Sequence, residues 1–205
     1  MKIIDLSVPF IESQDITTTL RSKLPIYCGH ECYAYDLQIK SHAGTYFETS
    51  AHLFRDGKNT SDIPITDLVL PGYCVQVHNN DSCITADHFE KHLGSIAPNA
   101  AVLVDVANDR DKYFSRDAAQ WLAAHKVKLM GSNTQRYDTG FVTPTGFFID
   151  LFKAEIPIIA GLTNLDRLPK NNFQVIALPL QIENICTVPC RIIATLETGL
   201  ISAKS

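Results

Sequence analysis

Apolar residues recur along this chain with two distinct periods. From Tyr33 to Ile39 the side chains alternate, Tyr33, Tyr35, Leu37 and Ile39 against Ala34, Asp36, Gln38 and Lys40. That period of two predicts a strand with one wet face. Short apolar runs at Tyr73 to Val77, Ala101 to Val106, Val127 to Gly131, Pro157 to Ile159, Phe173 to Leu180 and Arg191 to Leu196 predict further strands. Between them, Thr85 and Ser115 stand where helix N-caps belong, each followed by an acid in the first turn, where the helix dipole favours it. These signals predict helices over 86–93 and 116–125. A third amphipathic run, Gly146 to Glu155, leads into Ile156-Pro157-Ile158-Ile159. Strand and helix therefore alternate through the second half, which predicts an α/β class with a mixed sheet. Ten glycines and ten prolines are spread as turn punctuation, with no repeat or linker, so residues 1–205 read as one domain.

Composition narrows the partners. With 45% hydrophobic and 20% charged residues the chain is a folded one, and 18 basic against 22 acidic residues leave a net charge of -4. No basic footprint exists for a phosphate backbone or an anionic membrane, so neither nucleic acid nor membrane is expected. Asp5 interrupts the N-terminal apolar stretch, and no apolar run approaches the ~20 residues that span a bilayer. A cytoplasmic location is the expectation. Six cysteines without a secretory signal are then expected as reduced thiols. Cys28 and Cys32 flank His30, and Cys186 and Cys190 repeat the four-residue step, but the latter pair leads into an apolar strand and is expected to be core rather than part of a zinc knot.

The chemistry concentrates between residues 41 and 52. His42, Tyr46, Glu48 and His52 share one parity, so an extended strand places them on one face. A straight strand would nevertheless hold His42 and His52 ~33 Å apart. A common site requires a bend, and Gly44-Thr45 is the place for it, after which Glu48 and His52 become i and i+4 neighbours. A carboxylate beside an imidazole raises the imidazole pKa and suits acid-base work near neutrality.

The segment His42-Ala43-Gly44-Thr45-Tyr46-Phe47-Glu48-Thr49-Ser50-Ala51-His52 resembles the signature of the cyclase family that includes bacterial kynurenine formamidase and isatin hydrolase, His-x-Gly-Thr-His-x-Asp-x-Pro-x-His. The resemblance extends through Asp5-Leu6-Ser7, Pro25-Ile26-Tyr27-Cys28-Gly29, Ala118 to Leu122, Val127 to Gly131, Gly161 to Asp166 and Ala177-Leu178-Pro179-Leu180 to the last strand. It implies a single α/β domain with a mixed sheet or barrel-like core flanked by helices, of the swivelling β/β/α type. It also implies a homodimer or homotetramer, with Phe147, Phe148 and Phe152 expected to contribute to its interface.

In the family the first two histidines and the aspartate of the signature bind metal, the third histidine is the acid-base group, and a later His and Glu complete a site that is often two-zinc. In this chain the second histidine is Tyr46, the aspartate is Glu48, and Phe148 and Ala160 fall where the later ligands stand. Neither Phe148 nor Ala160 offers a donor atom. The leading expectation is therefore an enzyme without a metal cofactor. It would act on a small carbonyl-containing metabolite by cyclisation, dehydration, isomerisation or hydrolysis, with His52 and Glu48 as acid-base groups and Tyr46 donating to an oxyanion. His42, His30, Gln135 and Arg136 are the expected substrate-binding residues, Arg136 as a partner for a carboxylate. Two alternatives stand beside it: a non-catalytic ligand-binding or regulatory paralogue, and a formamidase-like amidohydrolase with one divalent ion, Zn or Mn, on His42, Glu48 and His52. His78, His88, His92 and His125 are expected on the surface, and Trp121 in the core.

Overall fold

The computed structural model describes residues 1–197 apart from residues 12, 22, 23, 135 and 141. The first half is built from short strands: β1 Lys2–Asp5, β2 Ile16–Leu20, β3 Ile26–Tyr27, β4 His30–Glu31, β5 Tyr35–Ile39 and β6 Tyr46–Glu48. Next come β7 Val69–Gln76, β8 Cys83–Ile84, helix α1 Ala86–Leu93, β9 Ala101–Asp105, β10 Tyr113–Phe114 and helix α2 Arg116–Ala124. The chain continues with β11 Leu129–Ser132, helix α3 Phe147–Lys153, β12 Ile158–Ala160, β13 Phe173–Pro179 and β14 Thr187–Leu196.

The main sheet runs β14-β13-β7-β9-β11-β12-β6 and closes on itself because β6 also pairs with the start of β14; β1 pairs antiparallel with the end of β14. The result is a seven-stranded barrel, mixed in direction: β7, β9, β11 and β12 are parallel, and β13, β14 and β6 antiparallel to their neighbours. Strand parity sorts the side chains into two cores. Phe47, Leu70, Leu103, Leu129, Ile159, Val175 and Ile192 fill the barrel. Val75, Val102, Val104, Met130 and Ile158 face outward onto α1, α2 and α3, where Phe89, Trp121, Leu122, Phe147 and Phe152 cover them.

Both expected helices that follow N-caps are present, and Trp121 is buried as expected. Strand β7 starts four residues before the predicted run, because Gly72 lacks the Cβ that would lie 2.1 Å from a Phe173 ring carbon and so admits that ring across the ladder. Two expectations are corrected. The apolar side of β5 is not buried: Tyr35 and Leu37 are 56% and 61% exposed, because among the described residues β5 pairs only with β2, in a ribbon that no other layer covers. Conversely, Phe147 and Phe152 are wholly inside the chain's own core, so they are not interface residues. Helix α3 turns them inward onto the sheet.

Candidate active site

The sequence places the site on a bend, and the bend is held from three sides. Gly44 adopts φ +62°, and a Cβ there would sit 2.4 Å from a ring carbon of Phe10. Gly161, also at positive φ, lies so close that its Cβ would be 2.5 Å from the Gly44 carbonyl oxygen. Thr45 ties the segments together: its hydroxyl donates to the Gly161 carbonyl at 2.6 Å and accepts from Val8 N at 2.9 Å, while Cys190 N donates to the Thr45 carbonyl at 2.9 Å. Glycine is required at 44 and 161 for conformation and for close approach.

After the bend, β6 alternates. Phe47 enters the barrel, so Tyr46 and Glu48 must emerge on the opposite face. A single turn over Ser50–His52 then brings the second imidazole back above Glu48. His42 Nε2 lies 3.0 Å and His52 Nδ1 3.5 Å from the same atom, Glu48 Oε2. Thr187 donates its hydroxyl to that oxygen at 3.2 Å. The carboxylate is buried, with 5% of its side chain exposed, whereas the imidazoles are 48% and 36% exposed. The charge is thus held inside while the rings face a molecule approaching from solvent.

Tyr46 packs edge-on against the His42 ring, with centroids 5.0 Å apart. Burial, and secondarily the nearby Glu48 charge, push its phenol up to about 12, so it stays a proton donor at neutral pH. Ala160 is paired directly with Tyr46, and Phe148 packs on Tyr137, whose hydroxyl donates to the Ile159 carbonyl at 2.6 Å. Burial raises the Tyr137 phenol well above its ordinary value, with Tyr46 and Glu48 adding to it. Ala160 and Phe148, the positions at which the resemblance implies the later ligands, thus lie in apolar and aromatic surroundings.

Of the residues singled out in the sequence, His42, Tyr46, Glu48 and His52 come together. His30 sits on the exposed β3-β4 hairpin, paired with Tyr27, and has no contact with that cluster among the described residues. Arg136 is exposed, its backbone held by the Thr134 hydroxyl. Gln135 lies outside the described residues. His78 is exposed but pairs with buried Asp105 at 2.9 Å. His88 is a correction to the expected surface position: only 13% of its side chain is exposed, because its Nδ1 accepts from Thr85 N at the start of α1. His92 and His125 are half-buried for a similar reason, each ring bonding a carbonyl one turn back.

The residues present fit one divalent ion. Two imidazole nitrogens and a carboxylate oxygen, all within 4.8 Å of one another, make a His, His, Glu donor set of the kind that holds zinc in hydrolases with one position left open. Thr187 and Cys186 complete the surroundings; the Cys186 sulfur is 3.9 Å from His52 Nδ1. Cys186 corrects the expectation of a core thiol, since it is only partly buried, while Cys190 is core and its thiol is pushed to about 12 by burial. The sequence did not link Thr187 or Cys186 to the histidine segment, because they meet Glu48 and His52 only through the β14-β6 pairing, in which Thr187 stands opposite Glu48.

Comparison with known proteins bears on the family and the fold. The family model described as "Putative cyclase" matches residues 4–139. A kynurenine formamidase of Salinibacter ruber is 25% identical over 162 residues, covering 76% of each chain. The structure of isatin hydrolase A from Labrenzia aggregata bound to benzyl benzoate superposes with a TM-score of 0.80 at 21% identity, covering 95% of this chain and 93% of that one. A Bacillus stearothermophilus protein described as a "predicted metal-dependent hydrolase" superposes with a TM-score of 0.74 at 21% identity, covering 94% and 97%. Among the described residues, no helix is long and apolar enough to cross a membrane.

Proposed function

This chain belongs to the cyclase family, and from that premise we propose that it is a hydrolase of an amide or lactam bond in a small carbonyl-containing metabolite. We propose further that it uses a single divalent ion, zinc or manganese, held by His42, Glu48 and His52. The observation that carries the reading is the convergence of three donor atoms within 4.8 Å on an open face. The similar proteins named for formamidase and isatin hydrolysis supply the substrate class. In such a reaction water adds across the C–N bond, its hydroxyl to the carbonyl carbon and its proton to the leaving nitrogen. A bound divalent ion would polarise the carbonyl and lower the pKa of water.

The chain's own groups have separable tasks. Glu48 keeps both imidazoles turned toward one point, with Thr187 satisfying the same oxygen. Tyr46, kept protonated, donates to the oxygen on which charge develops. Phe148, packed on buried Tyr137, provides an apolar wall for a flat carbonyl compound.

A second reading, acid-base catalysis without an ion, is supported by the ring orientation of His52. Its Nδ1 faces Glu48, and its Nε2 is left for a substrate proton. The decisive experiment assays N-formylkynurenine and isatin with protein before and after chelation, alongside elemental analysis. The one-ion reading expects turnover to vanish on chelation and return with Zn or Mn. Full turnover by stripped protein would overturn it and leave the acid-base reading.

We also propose a homodimer or homotetramer. The ribbon β2-β5 and the β3-β4 hairpin expose Leu20, Ile26, Tyr27, Tyr33, Tyr35 and Leu37, a contiguous stretch of sequence whose apolar side chains gain from a covering partner.

A further inference from the structure

We propose that Ser41 is a positioning residue of this centre: its hydroxyl holds the His42 ring with Nε2 toward the ion site, and accepts the Nδ1 proton when Nε2 gives its lone pair to an ion. The inference rests on the one-ion reading above and deepens it. The two imidazoles are held differently. His42 is met at both nitrogens, Nδ1 by the Ser41 hydroxyl at 2.9 Å and Nε2 by Glu48 Oε2 at 3.0 Å. His52, among the described residues, is met at Nδ1 alone, by Glu48 Oε2 at 3.5 Å and the Cys186 sulfur at 3.9 Å. The Tyr46 and His52 rings stand edge-on to His42 at centroid distances of 5.0 and 5.6 Å. Those contacts pack the ring, and the two hydrogen bonds decide which way its nitrogens face.

Ser41 stands in the turn closed by Ala43 N donating to the Lys40 carbonyl at 3.1 Å, immediately before the bend at Gly44. Its hydroxyl makes no other hydrogen bond among the described residues, and the residue is only half-buried, so neither capping nor core packing accounts for it. A hydroxyl both donates and accepts, whereas an ionised carboxylate only accepts. With no ion bound, Nε2 therefore carries the proton of a neutral ring toward Glu48, and Nδ1 accepts from Ser41. With Nε2 on an ion, the single proton of the neutral ring sits on Nδ1 and Ser41 accepts it. The ring gives up one proton and takes up one, so the exchange is balanced. Turning the ring over would set carbon atoms against both Ser41 and Glu48, so each hydrogen bond reinforces the other. Holding the second nitrogen of a ligand histidine fixes its tautomer and orientation and raises its basicity. Ser41 thus makes His42 the anchored ligand of the pair, while His52 keeps an uncommitted Nε2.

The test uses the full-length protein with S41A and S41T, each stripped by chelator and titrated with Zn²⁺. Affinity measured by chelator competition should fall about 10- to 100-fold in S41A, and S41T, which keeps the hydroxyl, should restore most of the loss. Nitrogen-15 spectra of histidine-labelled, zinc-loaded unaltered protein should show His42 bound through Nε2 and protonated at Nδ1. The stripped S41A protein should keep the Tm and circular dichroism spectrum of the stripped unaltered protein, since the hydrogen bond lies on the exposed side of the site. Equal zinc affinity in S41A, or zinc on His42 Nδ1, would overturn the role of Ser41 and leave the three-donor ion in place. An S41T affinity as low as that of S41A, or a Tm of stripped S41A that falls, would assign the effect to the turn itself and also reject the positioning role. An unaltered protein that binds no Zn²⁺ would overturn the one-ion reading and this proposal with it.

Discussion

Glu48 and Thr187 stand directly opposite one another across the seam that closes the barrel, and the Thr187 hydroxyl donates to the one carboxylate oxygen that both imidazoles approach. The seam is therefore also the floor of the site. A buried carboxylate is tolerated there because that oxygen is met by hydroxyl and imidazole groups.

Replacing Glu48 by Gln preserves shape while removing the charge that aligns His42 and His52. Turnover should fall by about 10² to 10⁴. Metal content measured by elemental analysis should fall with it, while the circular dichroism spectrum stays that of the unaltered protein. Retention of both activity and metal would contradict the role given to Glu48.

Tyr46→Phe removes only the hydroxyl. Loss of a single oxyanion donor costs about 10² to 10³ in kcat, and KM should change little. Because the phenol is held near 12, its ionisation should contribute no loss of rate between neutral and mildly alkaline pH. A pH-rate profile compared between the two proteins checks both points.

The bidentate pair between Arg116 on α2 and Asp150 on α3, at 2.8 and 3.0 Å, fixes the helix that carries Phe148. That pairing holds the Asp150 carboxyl below its ordinary value. A depressed carboxyl pKa contributes stability that is present above the unfolded value, ~3.9, and disappears as pH falls through the folded one. Asp150→Asn should thus lower Tm at pH 7, and the difference should close as both proteins are titrated below pH ~3.9. A gap that persists unchanged into acid would show that the effect is packing rather than charge.

Phe47 fills the barrel directly behind the site. Phe47→Ala should destabilise by about 3–5 kcal/mol in denaturant unfolding, since it removes a wholly buried ring and leaves a cavity. An effect below about 1 kcal/mol would mean that the barrel interior collapses around the gap.

Light scattering at micromolar concentration should give the mass of a dimer or tetramer. Introducing charge on the exposed ribbon, with Tyr35→Asp and Leu37→Asp together, should shift that mass toward the monomer without altering the circular dichroism spectrum. A monomeric unaltered protein would overturn the assembly proposal.

Much of the site was legible along the chain because its first elements are local. His42 to His52 is eleven residues; parity puts Tyr46 and Glu48 on one face, and a glycine marks where the strand must bend. Helices α1 and α2 were legible for the same reason, each announced by a capping residue, and α3 by its amphipathic run. The ribbon shows the limit of such reasoning: alternation over Tyr33–Ile39 specifies a strand with one apolar side, but not whether anything covers it.

The sequence by itself thus determined the strands and helices that carry an apolar period, the bend, and the pairing of Glu48 with His52, because each depends on neighbours within a few residues. Tertiary structure alone decided that the sheet closes. Barrel closure depends on which strand edges find one another, so β14 meets β6 across 139 residues of chain and delivers Thr187 to Glu48 and Cys186 to His52. It decided as well that Phe147 and Phe152 face inward and that Tyr35 and Leu37 face solvent. Whether an apolar side chain is covered depends on the layer packed against it, and periodicity along one element carries no information about that layer.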